Sequence, residues 1–238
     1  MISRELKVVF YILLSLPLAI SGWFYRVFFA PRKGTVKVQL GPGKRNYLPG
    51  WINVDANFIT AKVDCIADFR RKFPFHDNSV DCFYSMNVIE HIPDLDFHFK
   101  EMYRCLKPGG VIRVGGPNGD SHIRKFLEGD LEWFSIFPDR RESVGGRLSN
   151  YMMCRGEHLH ILTRSYLTEI SENAGFREQK ICRPVSETSY AEFFAPAIAT
   201  EYESTPEIPK LLAIEMVKPV HARQQVPESE NVSAAVMS

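Results

Sequence analysis

The chain has almost no net charge and no extended run of basic residues. Its 29 Lys and Arg stand against 28 Asp and Glu, which leaves a formal charge of +1 at neutral pH. Because proteins that bind nucleic acid usually show a basic patch, this balance argues against nucleic acid as the main partner. Small molecules and membranes stay open as partner classes.

Cysteine pairs and phosphate-binding motifs are also missing. The five cysteines form no CxxC pair, which favours buried free thiols in a reducing compartment over a disulfide scaffold. There is no GxxxxGK[ST] sequence, so a P-loop is excluded, and there is no internal repeat. At 238 residues, the chain is long enough to bury a single large core.

What the chain does contain is a series of strand patterns that end in small or polar residues. The apolar run Val36–Leu40 meets the tight turn Gly41-Pro42-Gly43, and the next run ends in Asp55. A third strand-like segment ends at Asp68. A fourth, at 81–86, is followed by Asn87, Glu90 and His91, and a helical pattern after it stops at 106–110. This order predicts a nucleotide-type ligand across the carboxyl ends of parallel strands.

The first turn carries the chemistry of such a site. Gly41 and Gly43 permit close approach of the backbone to a ligand, and a helix after the turn would present its N–H groups. Asp55, at the end of the next strand, can accept both hydroxyls of a ribose. By itself a GxG turn is an ordinary turn, and only the order of the other segments favours a site.

The spacing disfavours a nicotinamide dinucleotide. That fingerprint needs a third Gly or Ala where this chain has Asn46, and Gly43 is closer to Asp55 than the roughly 20 residues the pattern expects. A nicotinamide-dependent oxidoreductase is therefore a remote alternative.

Four segments resemble the class I S-adenosylmethionine-dependent methyltransferases, and within them a bacterial group linked to cell-surface polysaccharide synthesis. They are Val38–Arg45, Leu48–Asp55, Phe73–His91 and Glu101–Gly110. The resemblance extends over residues 36–218. It implies S-adenosylmethionine as the cofactor and an α/β, Rossmann-like fold: a mostly parallel seven-stranded sheet with an antiparallel C-terminal strand.

The resemblance also implies roles for individual residues. The turn of Gly41, Pro42 and Gly43 would pass under the methionine and ribose of the cofactor, and Asp55 would hold the ribose hydroxyls. Asp68 would lie near the adenine amino group and Asn87 beside the methionine. Many relatives have an acidic residue where this chain has Gln39, whose amide carries no charge to pair with the cofactor's ammonium.

Methyl transfer to a hydroxyl requires a group that removes its proton, and histidine is suited to that role. We predict His91 as the first candidate for this base and His158 as the second, with Glu90 in a local structural role. If the segment around His158 is extended, His158 and His160 face the same way. We predict no metal site, because two histidines without a placed third ligand are a weak signal.

The N-terminus predicts contact with a membrane. Residues 8–25 contain no charged residue across 18 positions, a marginal length for a membrane span, and Trp23, Phe24 and Tyr25 cluster at one end. More basic residues follow this run than precede it, which favours attachment through residues 8–30 at the cytoplasmic face. The run could span or lie in the interface. The alternative is a cytoplasmic protein in which this helix docks on the domain itself or on a partner.

These patterns divide the chain into three parts. Residues 1–33 form a hydrophobic anchor or appendage, 34–218 a methyltransferase domain with a candidate lid at 119–160, and 219–238 a disordered tail. Within the domain, strand and helix signals alternate from 34 to 118. We predict helices at 94–106, 120–127 and from a Thr163 cap to Ala174, and strands at 111–114, 181–184 and 211–217.

The sequence therefore predicts a methyltransferase for a small-molecule acceptor, and the resemblance points to a sugar or lipid-linked glycan intermediate. A lipid, a quinone or another metabolite is the first alternative acceptor. A catalytically silent, membrane-recruited binding domain is the alternative from another class. The pattern does not define the oligomeric state.

Overall fold

A computed structural model describes the backbone of residues 4–220 and the side chains of residues 9–220. Residues 1–3 and 221–238 lie outside it. The predicted disordered tail at 219–238 therefore falls almost wholly outside the described residues.

The described chain forms one sheet of seven strands. They are β1 (Lys37–Leu40), β2 (Ile52–Asp55), β3 (Cys65–Ile66), β4 (Val80–Met86), β5 (Leu106–Pro117), β6 (Arg177–Cys182) and β7 (Leu211–Val217). Their order is β3-β2-β1-β4-β5-β7-β6, and β7 runs antiparallel to both of its neighbours. The remaining pairs are parallel. The predicted fold class is confirmed.

Seven α-helices accompany the sheet in this part of the chain. They are α1 (Arg4–Leu13), α2 (Ser15–Phe28), α3 (Leu95–Cys105), α4 (Gly119–Leu127), α5 (Val144–Met153), α6 (Arg164–Ala174) and α7 (Ala191–Ile198). The predicted helix α6 is confirmed, since Thr163 accepts a hydrogen bond from the N–H of Tyr166 and Gly175 ends the helix at φ 104°. Asp94 caps α3 in the same way.

Two strand boundaries differ from the prediction. The edge strand β6 covers Arg177–Cys182 rather than 181–184, because its exposed polar residues hide the strand pattern. The strand β5 continues past the predicted 111–114 in both directions, and its Gly115 and Gly116 pair with Ala213 and Leu212 of β7.

The predicted alternation of strands and helices is wrong at the start of the domain. The structure has no helix in the connections between β1, β2, β3 and β4, which are short and contain Pro42 and Pro49. The helix α2 packs on this part of the sheet instead. A Cβ on Gly22 would lie 3.5 Å from Ala67, and the ring of Tyr25 lies 6.1 Å from that of Phe75.

Aromatic side chains fill the two sides of the sheet. On one side, Phe73 and Phe75 contact Phe83 with ring centroids 5.9 and 6.2 Å apart, inside the largest buried cluster. On the other side, Trp51 and Phe194 join a second cluster, which docks α7. Burial of such rings supplies much of the stabilisation of a core. The sheet is thus held rigidly beneath its carboxyl edge, where the site lies.

The N-terminal apolar run forms α1 and α2, which meet at Leu14. Pro17 lies in the first turn of α2, where its missing N–H is tolerated. Among residues 4–220, no helix is both long and apolar enough to cross a bilayer.

A buried histidine makes the stability of this fold depend on pH. His98 on α3 is fully buried, and its Nδ1 donates to the carbonyl of Phe69 at 3.0 Å. Burial lowers the pKa of His98 from 6.5 to about 4. The unfolded chain therefore binds more protons between these values, and the free energy of unfolding falls as the pH falls.

We expect His98 to remove about 2 kcal/mol of stability between pH 7.5 and pH 5. Urea denaturation measures the free energy of unfolding of the wild type and of His98→Gln, whose amide does not titrate, at both pH values. The effect is the difference between the pH dependences of these two free energies. Identical pH dependences would show that His98 does not carry the effect.

Candidate active site

The glycine turn at the end of β1 is shaped by its neighbours. Gly41 and Gly43 have φ angles of 70° and 56°, which side chains rarely adopt, and Pro42 between them is buried. A Cβ on Gly41 would collide with Val88 of the loop after β4, whereas a Cβ on Gly43 would meet no described atom within 4 Å. Gly41 therefore closes the turn against the protein, and Gly43 faces open space.

Asp55 lies beside this turn at the end of β2. Its Oδ2 accepts from the N–H of Gly43 at 3.4 Å and its Oδ1 from the N–H of Asn57 at 2.9 Å. Burial raises the pKa of the carboxyl. A carboxylate offers about four acceptor positions, so two stay available to ribose hydroxyls. The structure brings Asp55 and Gly43 together as the sequence predicts.

The predicted helix after Gly43 is absent, because residues 44–51 fold into turns. A helix N-terminus is therefore not available to a ligand at this turn. Gln39, two residues before Gly41, is buried, and its Oε1 has no hydrogen-bond partner in the described part of the chain. A buried acceptor without a partner is costly, and a ligand ammonium would satisfy it.

Asp68 does not present a free carboxylate. Arg70 holds it through two bonds, Nε to Oδ1 at 2.8 Å and Nη2 to Oδ2 at 2.7 Å. The guanidinium of Arg70 in turn lies 3.6 Å from the ring centre of Tyr11. The position of Asp68 near the adenine stays a prediction, and any contact there would be shared with Arg70.

The helix α1 forms part of the wall of the site. The ring of Phe10 lies 6.4 Å from that of Phe58, in the loop after β2, while Tyr11 lies on Arg70 after β3. Burial is the main cause that raises the pKa of Tyr11, and Asp68 and Asp55 add to it. Sequence reasoning missed Tyr11 and Arg70, since they lie far apart in the chain and no motif connects them. Phe10 and Tyr11 of α1 therefore contact the domain beside the candidate site.

Asn87 lies at the end of β4, across the crevice from the glycine turn. It is exposed, has a φ of 57°, and donates its backbone N–H to Gly115 at 2.9 Å. Non-glycine residues with positive φ are uncommon and cluster at functional sites. The sheet order changes direction between β1 and β4, which is where ligands bind in such sheets.

Three side chains converge next to this crevice, and we call them the Glu90–His91–His158 cluster. His91 Nε2 lies 3.8 Å from Glu90 Oε1, and the rings of His91 and His158 are 5.0 Å apart. One nitrogen or oxygen atom of each side chain lies within 4.8 Å of the others. The structure thus brings together both predicted base candidates and adds Glu90.

Two hydrogen bonds hold the segment 157–159 against the loop after β4. The N–H of Leu159 donates to the carbonyl of Glu90 at 2.7 Å, and His91 Nδ1 contacts the carbonyl of Glu157 at 2.8 Å. His158 Nδ1 contacts the carbonyl of Met152 at 3.1 Å. Each imidazole donates through Nδ1 to a carbonyl, which leaves Nε2 as its acceptor atom.

The buried members of the cluster titrate away from their usual ranges. Burial raises the pKa of Glu90 to about 8, and its Oε2 has no partner among the described residues. Burial and then the neighbouring His91 lower the pKa of His158 to about 4. The imidazole of His158 is therefore neutral at physiological pH. This is the protonation state in which an imidazole accepts a proton or binds a cation.

His160 does not belong to this cluster. Its Nε2 contacts the carbonyl of Ile92 at 2.9 Å and its Nδ1 the hydroxyl of Tyr166 at 3.3 Å. The segment 158–163 has no regular secondary structure, and the two histidines have different partners.

Residues 119–160 pack beside the cluster and contain the helix α5, which the sequence pattern did not reveal. His122 of α4 stacks on Tyr151 of α5 with centroids 4.4 Å apart, and Trp133 contacts the same histidine at 4.7 Å. Burial raises the pKa of Tyr151 to about 12, and the charge of Glu90 contributes. The lid function of this region stays a prediction.

Comparison with known proteins agrees with this geometry. Residues 52–114 match the family model described as a methyltransferase domain. Sterol 24-C-methyltransferase erg6 of Aspergillus fumigatus is 51% identical over 43 residues, which are 18% of this chain and 11% of that protein. Cycloartenol-C-24-methyltransferase of Arabidopsis thaliana is 32% identical over 112 residues, 43% of this chain and 30% of that protein. The chain thus spans less than a third of either relative.

A solved structure has the same fold. It is a chain from the complex between the Haloferax volcanii Trm112 methyltransferase activator and a methyltransferase, with a TM-score of 0.51 and 16% identity. The match covers 87% of this chain and 92% of the other. The fold is that of the class I methyltransferases. The matched domain supports the predicted enzyme class and S-adenosylmethionine as its cofactor.

Proposed function

We propose that the chain is an S-adenosylmethionine-dependent methyltransferase that acts at the cytoplasmic membrane face on a lipid-linked glycan intermediate. The contact between Asp55 and the glycine turn is the observation that carries the enzyme class. It supplies ribose acceptors next to a turn whose Gly43 faces open space. The match of residues 52–114 to a methyltransferase domain supports the same class.

The residues of the site fit the cofactor. Asp55 would hold the ribose hydroxyls, the turn of Gly41, Pro42 and Gly43 would pass beneath the ligand, and Gln39 would accept from its ammonium. The pair of Asp68 and Arg70 would border the adenine, and Asn87 the methionine. The cofactor supplies a methyl group already activated by its sulfonium, so the protein's main contribution is alignment of the acceptor.

The acceptor hydroxyl would face the Glu90–His91–His158 cluster. In the transfer, an oxygen lone pair forms the bond to the methyl carbon, and the carbon–sulfur bond breaks with its electrons going to sulfur. The hydroxyl proton leaves at the cluster, where His91 and His158 are the candidate bases. A positioned acid–base group of this kind contributes about 10²–10⁴-fold to a rate.

An outward apolar face on α1 and α2 supports the membrane location. Leu18 and Gly22 are buried against the domain. Opposite them lies a stripe at helical spacing that we call the outer face, and its exposed members are Val9, Ile12, Leu13, Leu16, Ile20, Trp23, Phe24, Val27 and Phe28. Monomeric soluble proteins rarely expose such a continuous apolar surface.

The chemistry of this face fits a lipid interface. Arg26 lies near its C-terminal end, and Arg32 and Lys33 follow it in the sequence; all three suit anionic headgroups, while Trp23 is typical of membrane boundaries. Because α1 lies along the carboxyl ends of β2 and β3, lipid contact would put the site beside the membrane. An acceptor held in the same membrane then reaches the site at high effective concentration.

A lipid or quinone acceptor is the second candidate. The names of the relatives favour it, since four are sterol methyltransferases by name and another is the demethylmenaquinone methyltransferase of Lactobacillus johnsonii. The same outer face would deliver such an acceptor. A labelled methyl group in a lipid extract separates the two acceptor classes. Mild acid, which releases glycans, should remove the label if the acceptor is a lipid-linked glycan and leave it in the extract if the acceptor is a lipid or quinone.

We expect the double substitution Leu13→Glu and Leu16→Glu to weaken vesicle binding at least about tenfold. Both side chains are two-thirds or more exposed, and burying a leucine in an apolar phase stabilises by about 1.5–3 kcal/mol. Co-sedimentation of the full-length protein with phosphatidylglycerol and phosphatidylethanolamine vesicles measures the partition.

The matched control is Leu127→Glu, which changes an exposed leucine of α4 outside the outer face. It should bind vesicles like the wild type. The membrane location is wrong if the wild-type protein stays in the supernatant when the vesicles sediment. It is also wrong if the double variant binds vesicles as well as Leu127→Glu does. Binding of vesicles without any methyl transfer or cofactor binding would instead favour the catalytically silent membrane-recruited domain.

A further inference from the structure

We infer that the Glu90–His91–His158 cluster is a binding site for a divalent transition-metal cation, with two imidazoles and one carboxylate as ligands. The inference departs from the sequence-based expectation of no metal, which rested on a missing third ligand. The structure supplies that ligand as Glu90. Its catalytic use rests on the proposed function, but the binding of the cation does not.

The first argument is the position of the donor atoms. They lie within 4.8 Å of one another, and metal–ligand bonds of about 2.0–2.2 Å bring such donors together with small side-chain rotations. They come from two separate segments of the chain. The bond between Leu159 N–H and the carbonyl of Glu90 fixes those segments side by side.

The second argument is the unusual state of Glu90. Its side chain is almost fully buried, yet Oε2 has no hydrogen-bond partner in the part of the chain that the structure describes. Buried carboxylates in proteins are normally paired or coordinate metals. The nearest cationic candidate, His91, lies 3.8 Å from Oε1 and leaves Oε2 unexplained. Oε1 faces His91, whereas Oε2 lies beside Gly116 of β5. A cation bound by this carboxylate through Oε1 would compensate the burial of its charge.

The third argument is the orientation of the imidazoles. Both present Nδ1 to a backbone carbonyl, Glu157 for His91 and Met152 for His158. Metal-binding histidines nearly always use their second nitrogen in this way, which directs the other nitrogen to the metal. The same backbone contacts that place the rings therefore prepare their Nε2 atoms as ligands.

The donor set also indicates the kind of cation and its role. Two imidazoles and a carboxylate suit Zn²⁺, Fe²⁺, Mn²⁺ or Co²⁺ better than Mg²⁺, which prefers oxygen ligands. Three protein ligands leave a position open, and His91 is the exposed member on that side, with 39% of its side chain accessible. With the cation bound, His91 and His158 would serve as its ligands and not as bases. The cation would lower the pKa of an acceptor hydroxyl held at the open position, and the proton would pass to solvent water.

To test this, untagged full-length protein is first stripped of metal with EDTA. It is then titrated with Co²⁺ while the visible d–d absorption of the bound cation is followed. We expect a single saturable site that Zn²⁺ competes for. His158→Asn and Glu90→Gln should each weaken Co²⁺ binding by more than about tenfold. The matched control is His160→Asn, which removes a neighbouring histidine outside the cluster and should bind Co²⁺ like the wild type.

Retained binding of S-adenosylmethionine would show that each variant is folded. Equal Co²⁺ binding by His158→Asn and the wild type, or no saturable site in the wild type, would overturn the inference. Full-rate methyl transfer by the stripped protein would overturn the catalytic role alone and leave the proposed function intact. Saturable Co²⁺ binding in a protein that does not bind S-adenosylmethionine supports the cation site and contradicts the proposed function.

Discussion

Asp55→Ala is expected to lower the affinity for S-adenosylmethionine by roughly 100-fold. The carboxylate lies at the end of β2 against Gly43, where it would accept both ribose hydroxyls. Hydrogen bonds to a charged group contribute about 1.5–3 kcal/mol each, so losing two costs on the order of 3 kcal/mol. Isothermal titration calorimetry on full-length protein measures the change directly.

The control for this result is Asp96→Ala, which removes an exposed carboxylate in the first turn of α3. It should bind the cofactor like the wild type. Asp55→Asn is a useful third protein, because the amide keeps one acceptor and the shape of the side chain. An affinity of Asp55→Ala within a few-fold of the wild type would place the ribose elsewhere.

Arg113→Met is expected to destabilise the fold by about 3–5 kcal/mol or to prevent folding. Arg113 on β5 is fully buried between two buried carboxylates, with Nε 2.7 Å from Glu201 and Nη1 2.8 Å from Glu215. Removing the guanidinium leaves two negative charges in the core. It also breaks a connection between β5, β7 and the segment after α7.

Urea denaturation at neutral pH measures this effect, with Arg124→Met as the control. Arg124 pairs with Glu128 on the surface of α4, where the arginine side chain is 65% exposed, and an exposed pair is worth less than about 1 kcal/mol. A variant in which Arg113, Glu201 and Glu215 are all replaced by apolar residues should recover stability. If Arg113→Met and Arg124→Met lose the same small amount of stability, the buried network does not stabilise the fold.

Local chemistry explains which parts of the fold were predictable. The helix α6 begins after Thr163 and ends at Gly175, because a cap hydroxyl and a left-handed glycine are properties of a few neighbouring residues. The meeting of Asp55 and Gly43 was also predictable. It follows from the rule that consecutive parallel strands align their carboxyl ends.

The remaining features depend on contacts between distant segments. Tyr11 and Arg70 meet because α1 lies along the sheet edge. No sequence pattern in either segment predicts this contact. His158 joins Glu90 and His91 through the way residues 157–159 pack, while the nearby His160 points to Ile92. The sequence named His91, His158 and Glu90. It could not show that Glu90 is buried beside both histidines or that the nearby His160 lies outside the cluster.

The most direct test is calorimetric titration of the full-length protein with S-adenosylmethionine and, in parallel, with NAD. The site geometry predicts saturable binding of S-adenosylmethionine in the micromolar range and none of NAD, because Asn46 replaces the small residue that a dinucleotide turn needs. Failure of the folded protein to bind S-adenosylmethionine, or binding of NAD in its place, would contradict the account.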